Sequence, residues 1–250
     1  MFYFKAVSMK DNLYIDNSQI VFSFARNMEI RKRLFEFEDA LKDEFKVPFI
    51  TVAIPDELDP NIPRFKSQSQ NGHSKIEVSQ SRITLATKYD EKFKLDHHQI
   101  EKYIRAKVAN LSKLADSENI NFIGYIIELG IYLEPSHIND FLRENTGAFS
   151  IKEDCKDFSI YYSKNYKLDF YLNVKCSKFK EQKLILHNET KTLRPTGQFN
   201  HGISIILDVN TKPFFERHRT FEKSLYDKLN KTVFEIINTK SIEAYLKGEI

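Results

Sequence analysis

Glycine is scarce in this chain, with seven in 250 residues, and none lies in a G-x-G-x-x-G or G-x-x-x-x-G-K-[ST] arrangement. Loops that grip phosphate need the backbone to approach the anion closely, which glycine permits. The sequence therefore speaks against nucleotide binding through a glycine-rich loop. Gly124 and Gly130, a nearby pair, sit inside an apolar strand pattern. Cysteine is scarcer. Cys155 and Cys176 form no C-x-x-C pair and read as two small buried thiols in a reducing cytosol. The seven histidines show no H-E-x-x-H and no Cys/His zinc spacing, so neither metal nor cofactor is expected.

Long apolar runs are also lacking. The start, "MFYFKAVSMKDN", has no charged n-region followed by a continuous oily stretch and a cleavage site. The longest oily segment, "FIGYIIELGIYL", contains Glu128 and is shorter than the about 20 residues a bilayer crossing needs. A cytoplasmic protein with no membrane partner is expected. Nor is there a large charge excess. The 38 basic and 35 acidic residues leave +3, divided as +1 over residues 1–118 and +2 over residues 119–250. Charge alone singles out no partner.

Aromatic residues are plentiful, with 21 Phe and 12 Tyr. Each large ring buries roughly 150–250 Å², so a modest apolar content still fills a core. "NSQIVFSFA" reads as a central strand, since both its faces are largely apolar. Asn27 then introduces a helix with Ile30, Leu34, Phe37, Leu41 and Phe45 at helical spacing. "PFITVAI" is a second strand.

Residues 61–88, "NIPRFKSQSQNGHSKIEVSQSRITLATK", alternate oily and polar side chains. Asn71-Gly72 predicts a tight type I′ hairpin turn, setting Phe65 opposite Val78 and Ser67 opposite Ile76. A second turn at Gln80-Ser81 sets Val78 beside Ile83 and Ile76 beside Leu85. The reverse face then carries Arg64, Ser79 and Arg82 in one row and Lys66, Glu77 and Thr84 in the next. A helix over "HHQIEKYIRAKVANLSKLA" follows, with Asp96 and Gln99 as its capping box.

The order then begins again. "NFIGYIIELGIYL" is a long strand, and a short helix carries Ile138, Phe141 and Leu142. "FSIYYSKNYKLDFYLNVKC" is a hairpin, "QKLILHNE" and "GISIILDV" are two further strands, and helices close the chain. The expected fold is α+β: a curved, mainly antiparallel sheet from two pseudo-repeated β-α-β4-α halves, with helices on one face. Residues 1–118 and 119–250 form one continuous domain with a shared sheet. The arrangement resembles the saddle of TATA-binding proteins at the level of fold, from which function does not follow.

Three segments carry a family likeness: "PRF" at 63–65, "ISIILDVNT", and "LYDKLNKTVFEIINTKSIEAYLKG". In these the chain resembles a sporadically distributed family of uncharacterised prokaryotic proteins of about 250 residues. The resemblance spans most of the chain beyond residue 54 and implies no activity. It points to Arg64 and Asp208 as residues to test, and its patchy distribution implies a subunit of a defence or mobile-element system.

The functional expectation is a non-enzymatic binding module using the open polar sheet face. Arg64, Lys66, Lys75, Arg82 and Lys88 against Glu77 leave that face about +4. Tyr171 adds an aromatic, and His201 and Asp208 add polar groups from the second half. Four or so phosphate contacts support only weak non-specific affinity, on the order of 10⁻⁴–10⁻⁶ M. The partner is accordingly a protein or a nucleic acid, and no oligomeric state is indicated.

The alternative is an enzyme with a cleft between the halves, using His201 as general base with Asp208 and Arg64. No residue spacing demands it, and there is no G-x-S-x-G elbow. Asp208 either pairs with Arg64 or bonds local backbone amides. Glu128, an acid in a run of Ile and Tyr, either has a partner or faces the open side. His97 and His98 read as a solvated helix start, and His218 as solvated or capping.

Overall fold

A computed structural model describes residues 12–115, 119–147, 151–152, 155–187, 192–217, 220–238 and 241–248. His218 lies outside them. Strand β1 (Tyr14–Phe24) leads into a 3₁₀ turn (Ile30–Arg33) and helix α1 (Leu34–Leu41). Strands β2 (Ile50–Thr51), β3 (Pro63–Gln68), β4 (Ser74–Ser79) and β5 (Arg82–Lys88) follow, then helix α2 (His97–Ala115). Strand β6 (Ile120–Tyr132) and helix α3 (Ile138–Thr146) open the second half. Strands β7 (Ser159–Tyr166), β8 (Phe170–His187) and β9 (Thr192–Asn210) and helices α4 (Lys212–Glu216), α5 (Lys223–Asn238) and α6 (Ser241–Lys247) complete it.

The nine strands form one antiparallel sheet in the order β2-β3-β4-β5-β1-β6-β9-β8-β7. The fold is thus α+β, as the alternating patterns predict. Its two halves differ by one strand. "QKLILHNE" does not start a new strand, because it continues β8, which runs for 18 residues. Ser177, Lys178, Phe179, Lys180 and Glu181 include no glycine, proline or asparagine to turn the chain. The second half therefore places three strands after its first helix, not four.

Alternation divides each strand between two faces. Ile20 and Phe22 on β1, Ile83 on β5, Ile123, Tyr125 and Ile127 on β6 and Leu207 on β9 have no exposed surface. Phe37 of α1 meets Phe65 edge-on with ring centroids 5.3 Å apart, and Phe234 of α5 meets Tyr125 at 6.3 Å. Tyr103 of α2 bonds the Ser74 hydroxyl at 2.9 Å, and Tyr245 of α6 packs on Tyr166. All four sheet partners belong to the buried parity, so these helices share one face of the sheet. Tyr103 apart, the stripe along α2 is Ile100, Ile104, Val108 and Leu111, all buried.

Residues 61–88 take the expected register. Phe65 pairs with Val78, Ser67 with Ile76, Val78 with Ile83 and Ile76 with Leu85. The turn differs in type. Of Asn71 and Gly72, only Gly72 has positive φ, at 79°, and its N–H donates to Ser69 O at 3.0 Å. Asn71 instead supplies its side-chain Oδ1 as an acceptor for Ser69 Oγ and His73 N. Asp96 caps α2 as expected, its Oδ1 accepting from Gln99 N at 2.9 Å. Asn27 does not cap α1: its Oδ1 accepts from Glu29 N at 2.9 Å in a local turn, and the chain enters α1 through the 3₁₀ turn, whose N-cap is Glu29.

Candidate functional site

On the side of the sheet away from α1, α2, α5 and α6, paired residues form rows that cross the two halves. One row runs Lys75, Ala86, Gln19, Ile126, Asp208, Asn173 and Ser163. The next runs Lys88, Asn17, Glu128, Ile206, Lys175 and Tyr161. Gln19, Ile126, Ile206, Asp208 and Asn173 are half-buried, whereas Lys75, Lys88 and Lys175 are exposed. Positive charge thus collects away from the central strands, which present amides, apolar side chains and the two carboxylates of Glu128 and Asp208.

The two central acids are held by neutral donors. Glu128 accepts from Asn17 Nδ2 at 2.6 Å and from Ser204 Oγ at 2.9 Å. Asp208 accepts from Asn173 Nδ2 at 2.9 Å and Asn210 Nδ2 at 3.4 Å. Each carboxylate is therefore positioned on paired strands, and among the described residues no cation contacts it. Of the two alternatives for Glu128, the open side with side-chain partners is the one realised.

Arg64 corrects the expected cationic row. It is fully buried, because the β3–β4 register shifts between Pro63 and Phe65 and the extra residue turns off the open face. Its Nε donates to Asp56 Oδ1 at 3.1 Å and its Nη2 to Gln80 Oε1 at 3.0 Å. Its Nη1 donates to Ile62 O at 2.7 Å. Arg31 Nε shares Asp56 Oδ1 at 2.8 Å. Hydrogen bonding and charge from Arg31, and then Arg64, hold the Asp56 carboxyl below the usual range.

The other sequence-selected residues are scattered over the sheet. Lys66 is half-buried opposite Glu77, Lys75 forms an ion pair with Glu77, and exposed Arg82 reaches Asn61 O at 3.4 Å. Without Arg64, the first-half face is +3 rather than about +4. Counting Lys175 against Glu128 and Asp208 brings the whole face to +2. Tyr171 is half-buried opposite Asn210.

Arg64 and Asp208 do not meet, since β3 and β9 are five strands apart, or about 24 Å at the usual spacing. His201 and Asp208 lie seven residues apart on β9, roughly 23 Å along the strand, with opposite side-chain parity. His201 lines a cleft of about 360 Å³ with Tyr132, Glu134, His137 and Phe199, and Asp208 is not among its lining residues. The His201–Asp208–Arg64 constellation is therefore not assembled.

Sequence reasoning missed an aromatic cluster at one end of the open face. Tyr14 and Tyr132 stack with centroids 4.8 Å apart, and Phe179 meets Tyr132 edge-on at 5.8 Å. Lys94 Nζ lies 4.2 Å from the Tyr14 centroid and 4.9 Å from that of Tyr132, and bonds Glu91 at 2.8 Å. Burial, followed by the hydrogen bond to Tyr132, pushes the Tyr14 phenol well above its ordinary pKa. Gly130 makes room for the Tyr14 ring and Gly202 for that of Phe179. Glycine inside a strand pattern was the available signal, because it marks close approach.

Both cysteines are free, Cys176 buried and Cys155 partly so. Burial pushes the Cys176 thiol up to about 12. His98 is exposed as expected, but His97 is tied on both nitrogens. Its Nε2 lies 3.1 Å from Leu13 O and its Nδ1 3.3 Å from Asn238 Oδ1. Among the described residues, no three His, Cys, Asp or Glu side chains gather to hold a metal ion, and no helix is long and apolar enough to cross a membrane. Compared with models of known families and with curated proteins, the chain matches none.

Proposed function

We propose that the chain is a non-catalytic binding module whose open sheet face receives a protein or a nucleic acid. The observation that carries this reading is the distribution of side chains on that face. Gln19, Val21, Ile126, Ile206 and Asn173 occupy the centre half-buried, together with the hydrogen-bonded carboxylates of Glu128 and Asp208, and the lysines lie toward the rim. A face kept only for solubility would carry exposed charge throughout. A half-buried centre of amides and apolar side chains, its two acids held by neutral donors, inside a rim of exposed lysines is the anatomy of interaction surfaces. The resemblance to the TATA-binding-protein saddle expected from the sequence concerns shape alone and adds no argument about the partner.

The test replaces Ile126 with Lys, which places a cation at the centre of the face without touching the helix side. Tagged chain is recovered from its native host together with whatever is bound. The reading expects a stoichiometric companion that the Ile126→Lys variant loses, and nuclease or protease digestion identifies its class. Retention of the companion by Ile126→Lys would remove the open face as its seat.

A further inference from the structure

The sheet ends where β7 stops pairing at Ser177 and β6 at Gly202, but β8 and β9 continue together. From Lys180↔His201 to His187↔Thr192 they form a two-stranded arm, about 26 Å long at the usual rise. An isolated ribbon of two strands is marginally stable in water, so its composition indicates what it meets. Residues 180–201 hold four basic and two acidic side chains, a net +2 of the +3 carried by the whole chain. The remaining residues carry 34 basic and 33 acidic side chains. Most of the excess positive charge of the sequence therefore lies in this one segment.

The faces of the arm also differ. Leu184 pairs with Pro195 and Leu186 with Leu193, and these form an apolar side on which the three leucines are 52–64% exposed. Lys183 and Arg194 lie on the other side, both exposed. A bulge between Gln182 and Leu184, with Gly197 at φ 75°, bends the ribbon midway. We propose that this arm binds double-stranded nucleic acid, with Lys183 and Arg194 on phosphates and the leucine side toward the base edges. The major groove, about 12 Å wide, admits a two-stranded ribbon and presents thymine methyl groups to apolar side chains. A second copy of the chain is disfavoured as occupant, because two arms of +2 would repel.

This inference concerns a different element from the open face and is tested separately. Anisotropy of a labelled 20-base-pair duplex is followed between 50 and 200 mM salt, for the natural chain and for Lys183→Ala with Arg194→Ala. The natural chain binds, and the double variant binds about tenfold more weakly at 50 mM, with a log–log salt slope flatter by about two. A Lys102→Ala, Lys113→Ala control, two exposed cations of α2 on the helix side of the sheet, retains the natural affinity. No duplex binding at 50 mM, or equal binding by the arm variant, overturns the proposal. An equal loss of binding in the α2 control does so too. Displacement of the duplex by polyglutamate at equal charge concentration assigns the arm to an acidic protein instead. A dimer in light scattering that Leu184→Ser with Leu193→Ser dissolves assigns it to a second copy, and either result overturns the nucleic-acid reading.

Discussion

Arg64 Nε lies 3.1 Å from Asp56 Oδ1, joining a guanidinium with no exposed surface to a half-exposed carboxylate. The pair ties the segment before β3 down against the strand end, and four backbone carbonyl groups and Gln80 accept from the same guanidinium within 3.4 Å. Arg82, which the sequence places in the same row, stands exposed on the open face.

The two arginines therefore respond differently to alanine. Arg64→Ala removes a buried set of hydrogen bonds and leaves a cavity, and is expected to cost roughly 3 kcal/mol. Arg64→Lys recovers little, because an ammonium cannot reproduce the planar fork. Arg82→Ala changes stability by about 0.5 kcal/mol or less. Urea midpoints of the three variants decide the matter, and equal midpoints for Arg64→Ala and Arg82→Ala would contradict the burial of Arg64.

Glu44 supplies a pH signature. Burial raises its pKa, and Lys107 at 3.6 Å and Asn110 at 3.2 Å offset this only in part. An acid whose folded pKa is raised binds more protons folded than unfolded, so its contribution to stability falls as pH rises from its ordinary value through the folded one. In Glu44→Gln that slope is absent. The difference in stability, variant minus natural chain, should shift in favour of the variant as pH rises through the carboxylate range and then stay level. Chemical denaturation at several pH values from 4 to 8 measures it, and a difference that does not vary with pH would count against the assignment.

Two strand glycines separate close approach from open space. At Gly202 a Cβ would collide with Ile131 O and come within 2.7 Å of the Phe179 ring, whereas at Gly124 its nearest neighbour is a Phe122 carbon at 3.7 Å. Gly202→Ala should cost about 1–3 kcal/mol through forced displacement. Gly124→Ala should be neutral or slightly stabilising, since it restricts the unfolded chain. Thermal midpoints of both variants test the contrast.

The cysteines differ in accessibility. Cys176 is buried with its thiol raised to about 12, and Cys155 is partly exposed. Native protein should therefore react with a colourimetric disulfide reagent at one thiol per chain, and at two in denaturant. Two fast-reacting thiols under native conditions would show that the β8 core opens readily.

Much of the first half was legible before any coordinates. The oily positions of residues 61–88 recur every second residue, so once the turn at Asn71-Gly72 is placed, the cross-strand neighbours from Phe65 to Leu85 follow, and only the bulge before Phe65 escapes the pattern. Asp96 was equally legible as a cap, because capping is a relation between residues three apart. The separate strand expected at "QKLILHNE" failed for a different reason. Sequence pattern identifies extended chain, but a break between strands is visible only where turn residues interrupt it, and no glycine, proline or asparagine does so between Cys176 and Gln182. The joining of Tyr14, Lys94, Tyr132 and Phe179 could not be read at all, since these residues come from separate parts of the chain.

The sequence by itself determined which apolar side chains of β3, β4 and β5 are buried, because alternation at a period of two is a property of the extended backbone and needs no partner to define it. It also determined the register of the β3–β4–β5 meander, through apolar positions that match only one way. The tertiary structure alone decided which polar residues remain on the open face and which meet one another. Arg64 left that face because a bulge in β3 turned it toward the carbonyl groups of the chain at residues 56–62, and Asp208 met Asn173 because β9 pairs with β8. Both outcomes depend on where distant backbone comes to rest, and no local periodicity encodes that.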